Sequence, residues 1–214
     1  MISIIRLNSQ ERKERICDFV MAKLDELQAS LKDKGQLLYL TKRAKHEDVS
    51  LFIHTNDSNS LGDFIAEELN KIEHVTGIWV IHLIKPIFYP LPKDTKSMKR
   101  FAISLKVFIN NLGDVYRNIA TARLPDGLKL AYIAYTFHLF EDSIQLSILT
   151  ENEENLNNYL TTVVEKMPGV LRTTFNLIER TRPLVSYATW REYSSKHGIV
   201  PSWDENSMIG QFQE

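Results

Sequence analysis

Two short acidic stretches, His46-Glu47-Asp48 and Glu141-Asp142, and the arginines Arg172 and Arg180 are the residues best suited to hold a small charged molecule. Carboxylates accept hydrogen bonds from an ammonium group or ligate a cation, and a guanidinium grips a carboxylate through two parallel N–H donors. The same charges are equally at home in solvent or paired with a neighbour. The six histidines, His46, His54, His74, His82, His138 and His197, lack the close spacing of a metal site, and buried or interface histidines account for them. No Gly-rich phosphate loop or nucleophile elbow occurs, so no catalytic residue, metal or cofactor is assigned. The single cysteine, Cys17, lies beside Phe19 and Val20 and reads as an inert core thiol.

These residues sit on a pattern that occurs twice. Leu51-Phe-Ile-His-Thr55 and a following amphipathic helix recur as Leu146-Ser-Ile-Leu-Thr150 and its helix, and each passage runs into a Gly, at 77 and 169, that opens a long apolar strand. In the first copy, strand 2–7 precedes an Asn8/Glu11 capping box and one helix carrying Ile16, Val20, Leu24, Leu27 and Leu31, closed by Gly35. Strands 36–42 and 49–55 flank a charged turn, and Leu61, Phe64, Ile65, Leu69 and Ile72 mark a second helix. The second copy repeats this order. Strand 101–109 comes first, then a helix with Leu112, Val115, Tyr116 and Ile119, a turn at Pro125-Asp-Gly127, and strands 128–140 and 144–149. A helix bearing Leu156, Tyr159, Leu160, Val163, Val164 and Met167 completes it.

The order β-α-β-β-α-β is that of ferredoxin-like domains. Residues 130–137 and 78–84 are apolar or aromatic at both parities, so something must cover the second face of each sheet. The expected architecture is therefore α+β: two tandem ferredoxin-like βαββαβ domains packed sheet to sheet as an intramolecular dimeric α/β barrel. The domains are 1–92 and 99–182, with a linker at 93–98 and an aromatic C-terminal extension at 183–214 holding Tyr187, Trp190, Tyr193, Trp203 and Phe212.

With 43% hydrophobic and 25% charged residues over 214 positions, the composition is that of a globular protein, and a net charge of -1 provides no general attraction for nucleic acid. No apolar run is long enough to cross a bilayer and the first residues lack a signal-peptide pattern, which points to the cytoplasm and away from a membrane.

The run from His138 through Ile148, then Thr150-Glu-Asn-Glu-Glu-Asn-Leu156 and Met167-Pro-Gly-Val-Leu-Arg-Thr-Thr174, resembles the effector-binding (RAM) domain of the Lrp/AsnC regulators. The resemblance is good over 99–180 and weaker over 36–86. It implies a domain that pairs sheet to sheet, assembles into homo-oligomers, and binds an amino acid or similar effector where pairs meet. The family's Gly-x-Tyr-Asp hairpin reads Lys45-His-Glu-Asp48 here, so Asp48 falls on its Asp; the second hairpin reads Phe140-Glu-Asp-Ser143. Residues 1–35 leave no room for a helix-turn-helix module.

The expected function is a small-molecule-sensing regulatory protein, transcription-related but without DNA binding of its own, partnered by copies of itself or a related regulator. Its ligand contacts are expected from His46, Asp48, Glu141, Asp142 and Arg172. The alternative is an enzyme of the dimeric α/β barrel type, oxygenase-like or haem-related, with a cavity between sheets lined by groups such as His82 or His138.

Overall fold

The order β-α-β-β-α-β is present in each half. The computed structural model describes residues 1–11, 15–89, 97–137, 143–185, 192, 195 and 196. In the first half β1 (Ile2–Asn8) leads to α1 (Ile16–Ala22) and α2 (Leu24–Leu31), then β2 (Gly35–Arg43), β3 (Asp48–Thr55), α3 (Ser58–Asp63) and β4 (Gly77–Phe88). In the second, β5 (Lys99–Val107) leads to α4 (Leu112–Thr121), β6 (Leu128–Tyr135), β7 (Ile144–Thr150), α5 (Glu153–Tyr159) and β8 (Val170–Pro183). Both α3 and α5 widen into a π-helical turn, at Phe64–Glu68 and Leu160–Val164. Neighbouring strands with a described register pair antiparallel, and the helices are short, which makes this an α+β fold built on antiparallel sheet.

Contacts divide the chain into two compact units, one built from Met1–Leu83 with the end of β8 from Glu179, the other from Ile84–Ile178. The strand order is β4-β1-β3-β2-β8 in the first unit and β8-β5-β7-β6-β4 in the second. Each half of the repeat thus lends the end of its last strand to the other unit. In the first unit Ile5, Leu7, Leu37, Val49, Leu51 and Ile53 bury one sheet face against Ile16, Val20, Leu27, Leu61 and Phe64 of the helices. In the second, Phe101, Ile103, Leu105, Ile133, Leu146 and Ile148 do so against Val115, Ile119, Leu156 and Leu160.

Two glycines are required where they stand. Gly127 holds φ +85 in the turn that the Leu128 N–H to Pro125 carbonyl bond closes at 3.1 Å. Gly169 holds φ +89, and a Cβ there would overlap the Asn111 side chain.

Several expectations are corrected. The Asn8/Glu11 capping box does not form: Asn8 is the last residue of β1, and the N-cap of α1 is Arg15, whose side chain makes no cap bond. The first helix is two, broken at Lys23, whose N–H bonds back to Val20 at 3.1 Å. Gly35 does not close α2, whose C-cap is Lys32; it follows the 3-10 turn Lys32–Lys34 as its C-cap, in extended backbone, and opens β2. Strand β5 ends at Val107, leaving Phe108 and Ile109 exposed, and Val163 faces solvent. Residues 138–142, 90–96 and the aromatics of the C-terminal extension lie outside the described residues. No helix among the described residues is long and apolar enough to cross a membrane.

Candidate functional site

The described residues among those singled out in the sequence are divided between the two units. His46 and Asp48 belong to the turn between β2 and β3, where Arg43 forms an ion pair with Asp48, Nε standing 3.3 Å from Oδ1. Both side chains are only 14% exposed, so the Asp48 carboxylate already has a cation within its own hairpin. Arg172 lies on β8 of the second unit, exposed, across from Lys106 on β5. Glu141 and Asp142 lie outside the described residues. Arg180 is exposed, its Nη1 3.7 Å from the sulfur of Met21.

The histidines are held singly. His54 is buried, 3.2 Å from the Met1 amine, and His74 tilts against Phe19 with ring centres 5.0 Å apart. His82 bonds through Nδ1 to Ser3 Oγ at 3.0 Å. Its register partner Ser3 shares the parity of Ile5 and Leu7, which pack on the helices, so His82 is on the helix side of the sheet and cannot line a cavity on the opposite face. His138 lies outside the described residues. Cys17 is buried, and burial pushes its thiol pKa up, as a core thiol requires.

The polar surface that does assemble lies on the second unit's sheet, on the face away from its helices. Tyr132, Ser147, Ala102 and Asn176 stand opposite one another across β6, β7, β5 and β8. The adjacent row is Ala134, Gln145, Ser104 and Thr174. Direct cross-strand neighbours have Cβ atoms about 4.5–5.5 Å apart, so these hydroxyl and amide groups form one patch. Ser147 and Gln145 are 2% and 4% exposed, while Ala102, Ser104 and Asn176 are half-buried. Within this patch the Ser147 Oγ is buried and has no hydrogen-bond partner among the described residues. An unsatisfied buried hydroxyl is costly, which makes it a group awaiting a ligand oxygen or nitrogen.

The first unit carries different groups at the corresponding positions. Tyr39, Phe52, Ile4 and Ile81 occupy the same four register positions on β2, β3, β1 and β4. All four are buried, and the Tyr39 and Phe52 rings stack with centroids 4.0 Å apart. A tyrosine follows the irregularity in β2 and in β6 alike, Leu37/Tyr39 and Leu130/Tyr132, so the frames correspond while the fillings differ. Large apolar groups fill the first face, and Ser147, Ala102 and Asn176 stand at the corresponding positions of the second, which is polar.

Sequence reasoning missed this patch although its signal was present. Gln145 and Ser147 alternate with Ile144, Leu146 and Ile148 in a strand whose every residue is buried, and a buried polar parity is the informative exception. On the helix side of the same sheet, Tyr116 donates to the Lys85 carbonyl at 2.5 Å and stacks on Tyr135, and Tyr89 donates to the Ala120 carbonyl at 2.8 Å. Burial raises the Tyr89 phenol to about 12, and burial followed by the nearby Tyr89 and Tyr135 raises that of Tyr116.

Haem chemistry at the polar face would need an axial donor. The described residues of the second unit contain neither histidine nor cysteine, so they do not fit a histidine- or thiolate-ligated haem. Among the described residues no group of three or more His, Cys, Asp or Glu is placed to hold a metal ion.

No protein-family model and no curated protein matches the chain. Solved structures do match its fold. A monooxygenase-like protein from Lactobacillus acidophilus NCFM aligns over 86% of this chain and 98% of its own, with TM-score 0.51 and 13% identity. An anthrone oxidase-like protein aligns over 85% and 92%, with TM-score 0.54 and 10% identity. A mutant chlorite dismutase from Candidatus Nitrospira defluvii aligns over 84% and 92%, with TM-score 0.54 and 12% identity. At such identities the likeness is one of fold. It overturns the expectation of an Lrp/AsnC-type sensor and of a role in transcription regulation, because the proteins that share this architecture over most of both chains are named for oxidative chemistry. The hairpin, the polar-capped helix and the Pro-Gly turn that carried that resemblance serve the βαββαβ geometry itself, with Asn152 capping α5 and Gly169 at positive φ, and do not distinguish a sensor from an enzyme. The chain has an α+β fold shared with these oxidative proteins.

Proposed function

We propose that the chain is an oxidoreductase of the oxygenase-like type, built as two tandem ferredoxin-like domains that pack as an intramolecular dimeric α/β barrel. The substrate lies on the polar patch of the second unit. The observation that carries this is the buried, unpartnered Ser147 hydroxyl set among Ala102, Gln145 and Asn176 in a fold shared with monooxygenase-like proteins. Ser147 and the Gln145 amide donate hydrogen bonds to a carbonyl or hydroxyl oxygen of the substrate and fix its orientation.

The test is oxygen uptake by the purified protein with a panel of hydroquinones and naphthols, with mass spectrometry of products formed under labelled oxygen. Turnover of at least one compound, reduced about tenfold or more by Ser147→Ala or Gln145→Leu, is expected, since a hydrogen bond to substrate contributes about 0.5–1.5 kcal/mol and a buried orphan left behind costs more. Turnover that both variants leave intact, or none with any compound, rejects the assignment.

A further inference from the structure

A cavity of about 310 Å³ lies away from the polar patch, between the end of α4 and the start of β6 in the second unit. Its walls include Tyr89, Arg123, Leu124, Asp126, Lys129 and Leu130. The volume is at the lower end of small-molecule sites, about 300–1,000 Å³.

Three features of these walls belong together. Arg123 and Lys129 are both exposed, and neither makes an ion pair or side-chain hydrogen bond among the described residues, although Asp126 lines the same cavity. The apolar part is firm, since Leu124, Leu130 and Tyr89 pack on the main core and the Tyr89 hydroxyl is held by the Ala120 carbonyl at 2.8 Å. At the rim β4 pairs with β6 at Phe88 opposite Tyr132, and the Tyr89 N–H donates to the Ala131 carbonyl at 2.9 Å.

We propose that this cavity binds a small carboxylate with an aromatic or short aliphatic body. Arg123 and Lys129 pair with the carboxylate, and Leu124 and Leu130 receive the apolar body. The site is separate from the proposed substrate patch: its side chains come from Tyr89 after β4, from α4, the 122–126 turn and the start of β6, and none belongs to either polar row.

Calorimetry of the full chain with 2-naphthoate, and with 2-naphthylmethylamine as the cation of similar shape, tests this, together with amide NMR of the same protein. The expected result is one naphthoate per chain, no heat from the amine, and shifts concentrated at 120–130. Because charge-assisted bonds are the strong ones, Arg123→Gln and Lys129→Gln should each weaken binding about tenfold or more. Both residues are exposed, so an unchanged thermal melt checks that the variants are folded. Absence of naphthoate binding, equal binding of the amine, shifts centred elsewhere, or affinity that both variants leave unchanged would overturn the proposal.

Discussion

Ser147 and Phe52 occupy the same register position in the two copies, each directly across a strand pair from a tyrosine, Tyr132 and Tyr39. One copy places a phenyl ring where the other places a hydroxymethyl group. That difference, repeated at Ile4 against Ala102 and Ile81 against Asn176, confines the proposed chemistry to the second copy.

The Ser147 hydroxyl is buried without a partner among the described residues, so removing it relieves a penalty. Ser147→Ala is expected to raise stability by about 1–2 kcal/mol, read from the urea midpoint. The same variant is expected to lose turnover, so stability and activity should move in opposite directions. A lowered midpoint would mean that the hydroxyl already has a partner.

Gly169→Ala should cost about 2–4 kcal/mol. The new side chain must adopt φ +89 and displace Asn111 at once. Denaturant unfolding measures this, and Gly113→Ala is the control, because a Cβ there meets nothing within 4 Å and α4 gains a better helix former.

Breaking the Arg43–Asp48 pair is expected to destabilise the β2–β3 hairpin without touching ligand binding. Both partners are 14% exposed, between the surface and buried extremes, so Asp48→Ala should cost about 1–3 kcal/mol. Equal affinity of variant and parent for any bound substrate is the second reading. A weakened affinity would return Asp48 to the site.

Alkaline pH should unfold the protein through its tyrosines. Burial raises the phenols of Tyr89, to about 12, and of Tyr116 and Tyr159 above their ordinary value. A group whose folded pKa exceeds its unfolded one stabilises fully below the unfolded pKa, and that contribution is lost as pH rises through the folded value. Stability is expected to hold below about pH 10 and to fall between about 10 and 12. Absorbance at 295 nm and circular dichroism should change together there; phenols that ionise at their ordinary pKa while the fold is intact would contradict this.

The elements were legible because their periods are strong. Leu112, Val115, Tyr116 and Ile119 lie on one face of α4, all at most 6% exposed, and the turns at Gly127 and Gly169 stand where Pro-Asp-Gly and Pro-Gly place them. The break at Lys23 was not legible, because Val20, Leu24 and Leu27 keep helical spacing across it. The site was hidden for a different reason. Conspicuous charges such as Asp48 drew attention, but Arg43, five residues away, already satisfies it. The groups of the proposed site are a serine and a glutamine distinguished by burial and by neighbours on three other strands, a relationship that spacing along the chain does not encode.

The exchange of strand ends bears on how the protein is made. The first unit's sheet is completed by the segment that begins at Glu179, so a ribosome that has delivered everything through Leu83 has not yet delivered its last strand. At about 5–20 residues per second the nascent sheet waits roughly 5–20 seconds with the β2 edge bare. Chaperone engagement during synthesis should therefore persist until the end of β8 emerges.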